Sequence, residues 1–239
     1  MKNVLITGGA SGLGKELCKA FKNEGYNVIF TYNTTQPDEK LDGCYGFKCD
    51  LTNEEKIGEL IKKLYQEYQN IDVLVNNAAI EINKDFSSKS KRDFMKTLEV
   101  NLVAPFLLSR EIGSRMYMFG SGRIINISSN NSLDKYDPVT VDYDASKAGL
   151  NILTKCTALE FSPYVTVNAV APGWILTDKI KELDDRLDNQ FVPSESKNIL
   201  LNRFASCEDI CNLVLFLASD KASYINGDII RIDGGSYNG

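Results

Sequence analysis

Short apolar runs separated by helical stripes recur from one end of this chain to the other, and that alternation restricts its fold more than any other feature. The runs are Val4 to Thr7, Val28 to Tyr32, Tyr45 to Cys49, Asp72 to Val75, Arg123 to Ile127, Val165 to Val170 and Asp228 to Ile232. Each has the length of a buried strand. Helical patterns lie between them: Lys15 to Asn23, then Ile57, Leu60, Ile61, Leu64 and Tyr68 on one stripe, and Phe94, Leu98, Leu102 and Phe106 every four residues on a long helix. A helix through Ala145, Ala148, Ile152 and Leu159 follows, and another from Asp209 to Leu217. Strands alternating with helices predict an α/β fold: one doubly wound domain over residues 1–239, a parallel seven-stranded sheet with helices on both faces. The Phe94 to Phe106 stripe suits both a core face and an interface.

Two stretches break the pattern, Glu81 to Lys89 and Leu176 to Asn198. The second is charged, carries Pro193 and is long for a strand-to-helix connection, so a substrate lid is expected at about 176–198.

Net charge is −5 with both signs spread along the chain, which gives no sign of a nucleic-acid partner. No apolar run approaches the roughly 18 residues of a membrane span. The Met1 to Gly9 segment is too briefly apolar for a signal peptide, so a cytoplasmic protein is expected. The six cysteines lack a C-x-x-C pair and sit mostly in apolar patterns, which predicts buried thiols and no metal site. The chain has no histidine, which excludes Ser-His-Asp hydrolysis, Cys-His proteolysis and His-ligated metal catalysis. Proton transfer is left to Tyr, Lys, Asp, Glu or Cys.

Tyr143 and Lys147 are four residues apart, and Tyr143 follows Ser129 by fourteen. On a helix, such a pair shares one face. A neighbouring positive charge favours phenolate and lowers a tyrosine pKa from its usual value of about 10. A phenol so tuned can serve as general acid or base. Tyr–Lys pairs are also common on helix surfaces, so the spacing alone leaves a structural pair open.

Thr7-Gly8-Gly9-Ala10-Ser11-Gly12-Leu13-Gly14 follows the first strand and opens the first helix. Glycines at 8, 12 and 14 allow a tight turn and close approach of a pyrophosphate to the helix N-terminus. No Gly-Lys-Ser/Thr follows, so this is not a nucleoside-triphosphate loop. The second strand ends Thr31-Tyr32-Asn33-Thr34-Thr35, where an acid would select NAD through its ribose hydroxyl. Neither an acid nor an arginine is present. NADP(H) is favoured over NAD(H), and both remain open.

Together these residues resemble the short-chain dehydrogenase/reductase family, over essentially the whole chain. The resemblance rests on Thr7 to Gly14, Asp50 after the third strand, Asn76-Asn77-Ala78-Ala79 after the fourth, Asn101, Ser129, Tyr143-x-x-x-Lys147, Pro172-Gly173 with Thr177, and the terminal Asn226-Gly227 and Asp233-Gly234-Gly235. It implies a Rossmann-like domain with a cofactor half at about 1–130 and a catalytic, substrate-binding half at about 131–239. Tyr143 would be the acid that protonates a carbonyl oxygen, and Lys147 would lower its pKa and bind the nicotinamide ribose. Ser129 would hold the substrate oxygen, with Ser128 as its rival, and Asn101 would anchor a water of the proton relay. Gly8, Ser11, Gly12, Leu13, Gly14, Asn33, Asp50, Leu51, Asn77, Ala78, Pro172, Gly173 and Ile175 would join Tyr143 and Lys147 around the cofactor. Thr177 would bond its carboxamide. Ala79 stands where the family has glycine, and Asn130-Asn131-Ser132 follows Ser129 without one.

Within the family the chain looks most like 3-oxoacyl-[acyl-carrier-protein] reductases. The resemblance therefore implies a carbonyl reductase acting on an acyl thioester or a small molecule, with acyl-carrier protein as a partner, assembled as a homotetramer. Lys179 and Lys181 suit an acidic partner, whereas Asp178, Glu182, Asp184, Asp185 and Asp188 in the same segment oppose it. Sugar, steroid or other secondary-alcohol dehydrogenation is the alternative. Enoyl reductases of the superfamily place six residues between Tyr and Lys, a spacing that Thr140 does not satisfy. A non-enzymatic dinucleotide sensor would lack the tyrosine or lysine that this chain keeps.

Overall fold

The computed structural model describes residues 1–37 and 41–236. Among them, β1 (Asn3–Ile6), β2 (Asn27–Tyr32), β3 (Tyr45–Lys48), β4 (Val73–Asn76), β5 (Gly122–Ile127), β6 (Val165–Pro172) and β7 (Ile229–Ile232) form one sheet. Its order is β3-β2-β1-β4-β5-β6-β7, with every neighbouring pair parallel. These are the seven apolar runs read from the sequence, with only their ends shifted.

The helices are α1 (Gly12–Asn23), α2 (Glu54–Glu67), α3 (Lys91–Leu98), α4 (Ala104–Phe119), α5 (Val141–Phe161), α6 (Asp178–Arg186), α7 (Phe191–Ser196) and α8 (Cys207–Ala218). The strand pleat divides the core in two. Val4, Ile6, Val28, Phe30, Val73 and Val75 face Leu17 and Phe21 of α1 and Ile210 and Val214 of α8. The intervening Leu5, Ile29 and Leu74 face Leu60 and Leu64 of α2, Leu108 and Ile112 of α4 and Phe161 of α5. Apolar residues on both pleat faces are why these strands read as continuous runs. Each fully buried Leu or Ile contributes about 1.5–3 kcal/mol.

Two helix starts are set by capping boxes, Ser90 with Asp93 for α3 and Ser206 with Asp209 for α8. The chain passes from β1 toward one edge of the sheet and from β4 toward the other. A crevice therefore opens at the carboxyl ends of β1 and β4, where open α/β sheets bind ligands.

Two expectations need correction. The Phe94 to Phe106 stripe does not lie on one unbroken α-helix, because a π turn, Glu99–Val103, separates α3 from α4. The wider turn changes the helical phase. The buried positions become Thr97, Val100, Asn101, Ala104 and Leu108, while Phe106 is 44% exposed. The 176–198 segment is also not irregular, since it folds into α6 and α7. No residue of α6 is fully buried, and Ile180 and Leu183 on it are half-buried, in line with Leu176 and Leu187 on one helix face. Among the described residues, no helix is long and apolar enough to cross a membrane.

Candidate active site

The glycine turn between β1 and α1 is shaped by its contacts with the end of β4. Gly8 has a φ of +68°, and its N–H donates to Thr31 Oγ1 at 3.2 Å. Thr7 Oγ1 accepts from the backbone N–H groups of Asn77 and Ala78, each at 2.9 Å. The Asn77 side chain returns the link by donating to the Thr7 carbonyl at 2.9 Å. A Cβ at position 14 would stand 2.1 Å from the Gly8 carbonyl oxygen and 2.6 Å from Asn77 Nδ2. The turn and the Asn77 segment are thus one locked unit, with the first N–H groups of α1 beside it.

A cleft of about 500 Å³ opens over this unit. Gly8, Ser11, Leu13, Gly14, Asn33, Asp50, Leu51, Asn77 and Ala78, all expected around the cofactor, line it together. Gly12 and Thr177 instead line an adjoining cleft of about 620 Å³ against α6 and the 202–207 segment. A Cβ at Gly12 would lie 3.9 Å from Thr177 Cγ2, so the two clefts meet at the turn. Pro172 ends β6, and a Cβ at Gly173 would lie 2.8 Å from Asp233 Cβ. Ile175 bridges Ala205. The dimensions and the exposed N–H groups fit an extended dinucleotide laid across the sheet's C-terminal edge.

The pleat of β5 separates the two serines that follow it. Ser128 turns into the protein, where its Oγ donates to Asn151 Oδ1 at 2.7 Å. Ser129 turns the other way, accepts from the Asn131 N–H at 3.2 Å, and lies close enough to the Tyr143 phenol to pull its pKa down. The structure therefore brings Ser129, and not Ser128, to Tyr143. Asn101 is fully buried in the π turn. Its Nδ2 donates to the Ile80 carbonyl at 2.9 Å and to Ser146 Oγ at 3.1 Å, and its Oδ1 accepts from the Ile80 N–H at 2.9 Å.

Tyr143 and Lys147 share a face of α5, with Lys147 Nζ 5.5 Å from the Tyr143 ring centroid. The expected lowering of the tyrosine pKa does not hold in this structure. Burial pushes the phenol above its ordinary range, Glu81 adds to the rise, and Ser129 only partly opposes it. Lys147 offers no strong counter-effect because burial also disfavours its charge, bringing its pKa down to about 7. Its Nζ is held by the Ile127 carbonyl at 2.6 Å.

That burial has a stability consequence. With a folded pKa of about 7 against an ordinary 10.5, the unfolded chain binds the extra proton across this window. The group's contribution to stability therefore rises from pH 7 to about 10.5, and the full penalty for a buried ammonium applies below pH 7. Lys147→Met is expected to raise the thermal midpoint of the cofactor-free protein most below pH 7, with the gain shrinking toward pH 10.5. Calorimetric melts across this range check it; a gain that grows with pH would contradict the assignment.

Some structural partners carried no sequence signal. Thr31 and Asn151 hold the turn and Ser128, and Asp142 is completely buried beside Tyr143. Cys18, Cys49 and Cys211 are buried as expected, but Cys156 is exposed. Among the described residues, no group of three or more His, Cys, Asp and Glu side chains could hold a metal ion.

A family model described as "Enoyl-(Acyl carrier protein) reductase" matches residues 8–237. The chain is 36% identical to 3-oxoacyl-[acyl-carrier-protein] reductase FabG of Aquifex aeolicus, covering 98% of this chain and 96% of that protein. The fold superposes on ligand-free aldohexose dehydrogenase of Thermoplasma acidophilum with a TM-score of 0.91 at 29% identity, covering 98% of this chain and 93% of that one. It matches ElxO with NADP bound equally well, at a TM-score of 0.91 and 30% identity over 98% of each chain.

Proposed function

From the premise that the chain belongs to the short-chain dehydrogenase/reductase family of oxidoreductases, we propose that it reduces the ketone of a 3-oxoacyl thioester to a secondary alcohol, with Tyr143 as general acid. The observation that carries this reading is the shared face of Tyr143 and Lys147 on α5, with Ser129 turned toward the phenol. When bound, a dihydronicotinamide dinucleotide supplies the hydride.

The residues supply orientation and the proton. Ser129 and Tyr143 both reach the substrate oxygen, which fixes the carbonyl. As that oxygen gains negative charge, the Tyr143 proton moves to it. A phenol whose pKa is raised remains protonated across neutral pH, which suits the reductive direction. Lys147 would recharge the phenol through its ammonium and bind the ribose of the cofactor. The Asn101 side chain is taken up by Ile80 and Ser146, so its part in holding a relay water falls to its backbone. Gly8, Ser11 to Gly14, Asn77 and Ala78 cradle the pyrophosphate and adenosine. Pro172, Gly173, Ile175 and Thr177 border the nicotinamide. Asn33, without an acid beside it, supports NADP(H) over NAD(H), as does the likeness to ElxO.

The FabG relatives and the three residues between Tyr143 and Lys147 support ketone over enoyl reduction. A second reading, oxidation of a sugar, is favoured by the acids of α6 and the likeness to aldohexose dehydrogenase. Acyl-carrier protein is the proposed carrier of the thioester, in the cytoplasm. A homotetramer is supported by Val103 and Phe106 on the π turn and α4, and Ile152 and Leu159 on α5, all exposed apolar side chains.

The test is cofactor oxidation, with NADPH and NADH, against acetoacetyl and crotonyl thioesters and simple diketones, and cofactor reduction, with NADP+ and NAD+, against aldohexoses. Turnover is expected with the acetoacetyl thioester, faster with NADPH, and none with the crotonyl thioester. Activity confined to aldohexoses would replace the first reading with the second.

A further inference from the structure

Lys89 and Asp142 form a buried ion pair beside Tyr143 that the proposed mechanism does not use. Lys89 Nζ lies 2.7 Å from Asp142 Oδ1, and the two side chains are 4% and 0% exposed. The ammonium also donates to the Val139 carbonyl at 3.0 Å and to the Ile82 carbonyl, so all three of its donors are used. The second carboxylate oxygen of Asp142 accepts from Thr97 Oγ1 at 2.7 Å. Burial pushes the Asp142 carboxyl up, but Lys89, Thr97 and the Tyr143 backbone N–H together hold it below its ordinary value.

The pair joins four segments at one point: the chain after β4 through Ile82, helix α3 through Thr97, the approach to α5 through Val139, and the first turn of α5 through Asp142. On the other side of Tyr143, Asp144 accepts from Asn131 Nδ2 at 2.8 Å, Thr140 Oγ1 at 3.1 Å and the Asp137 N–H at 3.0 Å. Tyr143 thus stands between two aspartates, each fastening one wall of the substrate side. A buried ion pair adds little net stability, because desolvation offsets its attraction. What this one adds is a fixed geometry.

We propose that Lys89 and Asp142 are positioning residues for Tyr143, a reading that rests on the proposed role of Tyr143 as acid. The pair sets where the first turn of α5 presents the phenol relative to the wall carrying Ile82. A displacement of about 1 Å at such a group can lower a rate about a hundredfold.

The test uses the full chain with bound nicotinamide cofactor and the best substrate of the activity screen. Lys89→Met/Asp142→Asn removes both charges and leaves no buried charge unpaired. It is expected to keep cofactor affinity within about twofold and to lower kcat about tenfold or more, with a smaller change in KM. Should it fail to fold, Thr97→Val removes one bond to Asp142 at constant charge and is expected to lower kcat about threefold. An unchanged kcat in whichever variant folds, or a loss confined to KM, would overturn the positioning role. Tyr143→Phe is run alongside: if it stays active, the role of the tyrosine itself fails. If it is inactive while the pair variant keeps its kcat, only the positioning role does.

Discussion

Replacing Tyr143 with phenylalanine is expected to lower carbonyl reduction about a thousandfold while leaving the cofactor's dissociation constant within about twofold. The substitution deletes one oxygen and keeps the ring, its packing in α5 and the 5.5 Å approach of Lys147 Nζ. What is lost is the proton aligned through Ser129. General acid catalysis contributes about 10²–10⁴ in rate, and the oxygen's part in fixing the carbonyl is lost with it. Steady-state kinetics paired with calorimetric titration of the cofactor separate the two effects. A kcat within tenfold of the parent's would remove Tyr143 from the chemistry.

Gly14→Ala is expected to act on the other half of the reaction, raising the cofactor's dissociation constant about a hundredfold, or about 2.7 kcal/mol. The added methyl would sit 2.1 Å from the Gly8 carbonyl oxygen and 2.6 Å from Asn77 Nδ2. Neither can yield easily: Gly8 is main chain, and Asn77 donates to the Thr7 carbonyl at 2.9 Å. The turn must open, which moves the N–H groups meant for the pyrophosphate. Alanine is the better helix former by about 1 kcal/mol, so intrinsic propensity works against any loss seen. Titration of the variant by calorimetry checks it, and a dissociation constant within threefold of the parent's would show that the turn tolerates the contact.

The sheet was legible because its central strands are apolar on both pleat faces, as Val4, Leu5 and Ile6 illustrate by filling opposite cores. The glycine turn was legible because a backbone constraint leaves a residue-type signature. The choice between Ser128 and Ser129 needed the strand to exist, since only the pleat sends one inward and the other to Tyr143. Helix α6 was missed although Ile180 and Leu183, with Leu176 and Leu187 at its ends, keep helical spacing, because the charged residues between them read as a loop. The π turn was missed because five residues without glycine or proline gave no break in the pattern. Spacing predicted a neighbouring charge for Tyr143 but not the desolvation that outweighs it, which depends on everything packed around the ring. Lys89 and Asp142 are 53 residues apart, and no local pattern joins them.

The chain's single tryptophan, Trp174, stacks on Phe204 with ring centroids 5.6 Å apart and meets Phe191 of α7 edge-on at 5.3 Å. It sits directly after Pro172-Gly173 at the end of β6, so the same indole links that strand to the second helix of the 176–198 segment. Its emission therefore comes from one place in the molecule, and any shift of α7 against β6 changes the aromatic surroundings of that one fluorophore. The protein carries its own optical gauge of that segment, readable during turnover without a label.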